Sequence, residues 1–263
     1  MKRAIVIFIM ILAAVMKVSS QTEADFIVGL TADGEGVVIK GYTGNLSSIN
    51  IPAFIEGMPV REIEGRGFQQ PIFPRRVTNV VIPVGITKIG NYAFHGCSIV
   101  SVTIPEGVTE IGLSAFFECS NLTSIDLPKS LRKIGRLAFS RCRRLASVSL
   151  ATGITAIESG TFEECSSLAR IIIPEGVTRI GASAFEECTN LPEASLPSSI
   201  QVIGNRAFMS CTNLTTVTIP DSVQTVYTEA AANSLLEFAF RNCPKLNLAT
   251  QARIRKLNVE FRP

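Results

Sequence analysis

Histidine is almost absent from this sequence. Of 263 residues only His95 is one, so an imidazole-based acid–base mechanism would have to pass through a single side chain. Cysteine is present but never closely paired. The seven fall at positions 97, 119, 142, 165, 188, 211 and 243, and without C-x-x-C spacing they do not converge as zinc ligands do. The DGEG of residues 33–36 lacks the alternating acids and distant glutamate of an EF-hand loop; a turn between two strands, Phe26–Leu30 and Val37–Tyr42, explains it. No catalytic residue, cofactor or metal is therefore expected.

A membrane-length hydrophobic run is missing too. Ala4–Met16 is apolar, but Lys17 ends the run short of the ~18 residues a membrane span needs. With Lys2 and Arg3 before it and Val18-Ser19-Ser20 after it, the order is that of a secretory signal peptide, expected over residues 1–20. The first cysteine is Cys97, far from any lipid-attachment position. Lys2, Arg3 and Lys17 would leave with the signal, so the 25 basic residues would fall to 22, equal to the 22 acidic ones. A neutral chain has no global field to draw it to nucleic acid or an anionic membrane. The expectation is an exported protein (secreted, cell-surface or periplasmic) with no membrane span once the signal is removed.

What the chain has in abundance is repetition. IPEGVTEIGLSAFFEC at Ile104–Cys119 returns as IPEGVTRIGASAFEEC at Ile173–Cys188. Cysteine spacings of 22, 23, 23, 23, 23 and 32 mark a solenoid period. In the unit CSNLTSIDLPKSLRKIGRLAFSR, Cys119–Arg141, the alternation over Leu122–Leu127 is strand patterning. Pro128 ends the pairing run because it has no N–H to donate. A second short extended piece follows at Leu131–Ile134, and Gly135–Phe139 is expected to make a helical turn that brings the chain back. One coil cannot bury its apolar residues alone; stacking makes one continuous core. Phe94, Phe116, Phe139, Phe162, Phe185 and Phe208, with Phe240 joining, then form an aromatic column, each ring contributing roughly 1.5–3 kcal/mol on burial before ordering entropy is subtracted. Charges should alternate along exposed columns: Lys88, Glu110, Lys133; Glu106, Lys129; Glu118, Arg141, Glu164.

These residues resemble the BspA-like, or Treponema-type, leucine-rich repeats of secreted and surface proteins of bacteria and some protozoa. The unit is similar to C-x-x-L-x-x-I-x-[IL]-P-x-x-[VL]-x-x-I-G-x-x-A-F-x-x, which recurs over about residues 25–250. DFIVGLTADGEGVVIKGYTGNLSSINIP and GMPVREI are similar to that class's capping hairpin and first degenerate repeat. The resemblance implies an α/β solenoid of mostly parallel strands in a right-handed coil with short helical turns. It also implies binding to a protein or glycan ligand, including host surface or matrix components, without catalysis. A structural or self-associating envelope module is the alternative. The expected organisation is a signal peptide at 1–20, a capping hairpin at 21–50, the solenoid at 51–226, and an insertion, last repeat and C-terminal cap at 227–263. Ala151, Glu158 and Thr161 replace the usual proline, glycine and alanine, so the Leu145–Cys165 unit should be the least regular. The Cys97–Cys119 unit is one residue short.

Within this frame the cysteines are expected to be free, buried thiols, since a lone cysteine packs as a small hydrophobe. His95 shares its column with Phe117, Ser140, Glu163, Glu186 and Met209. That variety predicts an exposed position where substitution changes little. The basic stretch from Lys129 to Arg144 reads as a solvated face paired with glutamates on adjacent coils, with an anionic-ligand patch as its alternative. Asn45, Asn121 and Asn213 stand in N-x-[ST] triplets, for which a turn role suffices. The insertion Tyr227–Phe238 could place Ala230, Ala231, Leu235 and Leu236 on one helical side as an end cap.

Two side chains of each main strand point outward, and most are small hydroxyl residues. Arg170, Ile172 and Glu193 break that pattern on adjacent coils, with Asp126 two coils from Ile172. An apolar residue ringed by charges has the character of an interface core with a polar rim, so these four are the candidate ligand-binding residues. The competing reading is that Arg170 and Glu193 merely pair across strands.

Overall fold

A computed structural model describes residues 21–65, 72–223 and 236–260. The signal-peptide expectation for 1–20 and most of the insertion, including Ala230, Ala231 and Leu235, lie outside the described residues.

Each coil gives one short strand to a front sheet and another to a back sheet. The front strands are Ser48–Asn50, Asn79–Val81, Ser101–Thr103, Ser124–Asp126, Ser147–Ser149, Arg170–Ile172, Glu193–Ser195 and Thr216–Thr218. Each has a central apolar residue turned inward between two outward ones, as in Ser124–Asp126, where only Ile125 is buried. Neighbouring coils pair in parallel, with Ser124, Ile125 and Asp126 opposite Ser101, Val102 and Thr103. The back sheet opens with an antiparallel hairpin of β1 (Phe26–Leu30) and β2 (Val37–Tyr42). It continues in parallel through Met58–Ile63, Lys88–Ile89, Glu110–Ile111 and Lys133–Ile134.

The returning segments are tight turns, and among the described residues regular α-helix is confined to α1 (Leu236–Ala239) and α2 (Leu248–Glu260). Two residues per coil take the left-handed conformation. The residue before each cysteine (Gly96, Glu118, Arg141, Glu164, Glu187, Ser210, Asn242) has φ between 55° and 68°. The residue four earlier, Leu137 in one coil, has φ of 57°. For non-glycine residues this conformation is costly and persists only because the surrounding packing enforces it.

The core is built in columns. Phenylalanine rings from Phe73 to Phe240 stack one per coil, with centroids 5.1–5.6 Å apart and planes within 20°, in the range of favourable stacked pairs. Tyr42 and Phe26 extend the column into the hairpin. All seven cysteines are free and buried. Each thiol points at the carbonyl of the phenylalanine one coil earlier: Cys142 Sγ donates to Phe116 O at 3.2 Å and Cys165 Sγ to Phe139 O at 3.1 Å. Burial pushes the Cys97 thiol up to about 12 and Cys243 to about 11, so thiolate, the reactive form, is scarce at neutral pH.

His95 corrects the sequence reading. It is 6% exposed, as are its column neighbours Phe117 at 8%, Ser140 at 0% and Glu186 at 5%. At these four positions the variety reflects local compensation in a buried slot rather than exposure, while Glu163 and Met209 of the same column are half-buried. His95 stacks on Phe117 at 5.2 Å, Ser140 donates to Glu163 at 3.3 Å, and Arg206 meets Glu186 at 2.5 Å. Burial holds His95 below its ordinary pKa. Truncating it would open a hole against Phe117, so substitution is not neutral.

The charge columns behave as alternation predicts in two cases. Lys133 meets Glu110 at 2.8 Å, and Arg141 bridges Glu118 and Glu164 at 3.1 and 3.0 Å. Glu106 differs: its carboxylate accepts from the backbone N–H groups of Lys129 and Ser130, capping the next coil's turn instead of pairing with the Lys129 ammonium. Glu175 does the same for Ser198.

Among the described residues three interruptions break the ladders. The front sheet divides between Asn79–Val81 and Ser101–Thr103, where the short coil begins, and again between Arg170–Ile172 and Glu193–Ser195. The back sheet divides between Lys133–Ile134 and Ala156–Ile157. The glycine column explains the back break. Gly112, Gly135, Gly181 and Gly204 each donate an N–H to an isoleucine of the previous coil at 2.7 Å. A Cβ built on Gly135 would lie 2.6 Å from the Gly112 carbonyl carbon. Glu158 carries such a Cβ, and its coil departs from the ladder there.

Candidate functional site

The second front-sheet break has an equally local cause. The residue before each front strand donates its N–H to its counterpart one coil earlier: Thr123 to Val100 at 2.9 Å, Ala146 to Thr123 at 3.2 Å, Ala169 to Ala146 at 2.9 Å, and Thr215 to Pro192 at 2.8 Å. Pro192 holds this place in its own coil and has no N–H to give. The carbonyl of Ala169 therefore lacks the donor that its equivalents receive. Inward from this point Ala194 occupies the position filled by valine or isoleucine elsewhere, so less volume is packed behind the strand. Ile171 is only half-buried where its counterparts are fully buried.

A cleft of about 350 Å³ opens at this seam, lined by Arg170, Ile171, Ile172, Glu175, Glu193 and Pro197 among others. Three of the four candidate residues, Arg170, Ile172 and Glu193, thus share one cleft. Ile172 is 46% exposed. Asp126 is exposed in its strand, but the structure does not bring it into the cleft: the Ser147–Ser149 strand lies between. Arg170 and Glu193 form no ion pair with each other among the described residues. The cross-strand pairing that would have explained both is therefore not the arrangement found. The opening thus offers an apolar floor with a cation and an anion at its rim that form no ion pair among the described residues.

Pro192 is the residue that sequence reasoning missed. Its signal was legible in principle, because proline at the entry to an interior strand removes a ladder donor. The basic stretch is mostly spoken for. Arg141 and Arg143 are held by Glu164 at 3.0 and 2.8 Å, and Arg132 donates to the carbonyls of Lys129 and Leu131.

No described helix is long and apolar enough to cross a membrane, and no cluster of candidate metal ligands occurs among the described residues.

The sequence profile of the BspA type leucine rich repeat region matches in six copies, over residues 62–192 and 109–237. Among solved structures, a leucine-rich repeat protein of T. pallidum is 27% identical with a TM-score of 0.66, the match covering 91% of this chain and 96% of that one. A leucine-rich repeat protein from Bacteroides ovatus is 20% identical with a TM-score of 0.34, covering 84% of this chain and 91% of its own. A leucine rich cell surface protein from Faecalibacterium prausnitzii is 22% identical with a TM-score of 0.32, covering 86% and 93%. No curated protein matches the chain. The T. pallidum likeness runs almost the full length of both chains, so the same solenoid is shared from the hairpin to the C-terminal coils.

Proposed function

The chain belongs to the BspA-type leucine-rich repeat family, and from that premise we propose that it is an exported binding or adhesion module. Its front sheet takes up a protein or surface-glycan ligand at the cleft between the Arg170 and Glu193 strands. The family is in general a non-enzymatic repeat scaffold, typically at the surface or secreted. The single observation that carries the reading is the Pro192 seam. An opening of similar size at the Asn79–Val81 break is lined by Val81 and uncharged polar residues, whereas here a half-exposed isoleucine sits with an arginine and a glutamate that form no ion pair among the described residues.

The chemistry favours a protein segment over a sugar. An apolar side chain entering beside Ile172 would leave water, worth about 25 cal/mol per Å² of apolar area removed. Arg170 and Glu193 would meet polar groups at the rim, setting register and orientation more than affinity. Asp126, outside the cleft, would contribute only to a ligand long enough to cross the intervening strand.

The test is the double substitution Arg170→Ala with Ile172→Ser, in binding assays against matrix proteins and the organism's own envelope fraction. Binding weakened about tenfold or more, one to two kcal/mol of lost interface contact, with an unchanged melting temperature, is expected. Unchanged binding with an unchanged melting temperature would remove the cleft from the interface.

A further inference from the structure

The two ends of the stack are finished differently. At the C-terminal end α2 lies across the last front strand. The Val217 N–H donates to Thr250 Oγ1 at 3.2 Å, and the Thr250 hydroxyl donates to the Val217 carbonyl at 3.3 Å. Arg253 donates to the carbonyls of Ile219 and Pro220, and Ile254 and Leu257 are buried. Those side chains satisfy the backbone of the last front strand and of the residues that follow it.

At the N-terminal end the last element is β1, which among the described residues pairs only with β2. In its register Val28 lies opposite Ile39 and Leu30 opposite Val37. Directly opposed residues put their side chains on one face, and Ile39 and Val37 are core residues, 0% and 2% exposed. Val28 and Leu30 thus continue the core face, yet they are 39% and 58% exposed, with Ile27 at 40%. Natural edge strands are usually blunted by charge, proline or a covering element. Phe26–Leu30 contains neither charge nor proline. The one charged side chain over the strand, Lys40, lies against Gly29, on the face opposite Val28 and Leu30 by strand alternation.

We propose that β1 is a self-pairing edge, through which two copies of this chain join N-terminal end to N-terminal end. Their β1 strands run antiparallel about a two-fold axis. The arrangement is isologous, so one patch serves both partners. An uncharged strand run against itself brings no like charges together within the pair. Pairing would extend the back sheet continuously across the axis and bring Val28 and Leu30 into lateral cross-strand contact with their own counterparts. At the other end α2 covers the last front strand, so that strand offers no open edge to a β1 strand. The dimer leaves both front sheets free, so two clefts would be carried on one particle and a repetitive target would be bound with avidity. It stands independently of the cleft proposal.

Two measurements test it. Sedimentation velocity over a concentration series should show a reversible dimer of the wild-type chain. The double substitution Val28→Lys with Leu30→Lys should shift dissociation to about tenfold higher concentration or more, with the melting temperature of the monomer kept. Separately, Val28→Cys should cross-link into dimers on mild oxidation, whereas Ile172→Cys should not; the seven native thiols are buried and silent. A wild-type chain that stays monomeric throughout, a dimer untouched by the two lysines, or equal cross-linking through position 172 would each overturn the proposal. A foreign strand captured by a monomeric chain falls under the first of these.

Discussion

Glu158 and Pro192 are each a one-residue departure from the same repeat, and each interrupts a ladder, but the chain absorbs them differently. Glu158 adds atoms where a column of glycines leaves no room for them. Its coil does not pair with the preceding one at the back, and the new carboxylate is used at once, bound by Arg179 at 2.7 Å. Pro192 subtracts a donor where every neighbour has one. Nothing replaces it, and the seam stays open as the cleft beside Ile172. An added group can recruit a partner; a missing donor leaves only space. In a repeat protein the second kind of departure makes a site and the first makes a repair.

The comparison is most exposed to a transplant. Gly135→Glu would put the Glu158 side chain into a regular coil with its Cβ against the Gly112 carbonyl. Overpacking of this kind costs about 1–3 kcal/mol, and denaturant unfolding should show that loss. If Gly135→Glu is as stable as wild type, the glycine column is not what breaks the back sheet at Glu158.

Pro192→Thr tests the other half. It supplies the N–H absent at the seam and should gain at most about 1 kcal/mol, a hydrogen bond's net worth, partly offset by the greater freedom of the unfolded chain. Hydrogen exchange is the sharper readout. The new amide at position 192 should be protected as the amides of Ala169 and Thr215 are, and ligand binding at the cleft should weaken. An unprotected amide would mean that the missing donor is not the cause of the opening.

The smallest effect belongs to the Glu158 coil. Glu163 has its pKa raised, first by burial and then by the neighbouring Glu186. A raised carboxyl favours its protonated form in the folded state, so its contribution is fully present below the unfolded value and is lost as pH rises through the folded one. Glu163→Gln should therefore raise the melting temperature at pH 7 by an amount worth under about 1 kcal/mol, given partial solvent screening. The gain should vanish near pH 4. A gain that persists at pH 4 would point to packing instead of charge.

Much of the fold was legible because repetition turns residue identity into position. Phe139 and Cys142 could be placed inward from the sequence because the same letters recur at the same phase. The slot holding His95 could not, because a column of unlike residues looks tolerant whether it is solvated or separately compensated at each level. Only the stacking of His95 on Phe117 and the ion pair of Glu186 with Arg206 distinguish the two cases. At the candidate site, alternation was enough to turn Arg170, Ile172 and Glu193 outward. It could not show that Arg170 and Glu193 stay apart, since that depends on which amide bridges to Ala169. Nor could it exclude Asp126, because distance along the stack depends on where the ladder is cut.

The three cuts have a mechanical consequence. The back sheet is severed between the coils of Ser124–Asp126 and Ser147–Ser149, while the front sheet is severed two levels before that point and again two levels after it. No cut in one wall lies level with a cut in the other, as joints are offset in brickwork. The phenylalanine column passes all three without a gap. A tensile load along the stack meets, at each described level, at least one intact wall and the aromatic post behind it. Among the described residues no plane cuts both walls at once, so the seams open one face at a time without becoming a line of fracture.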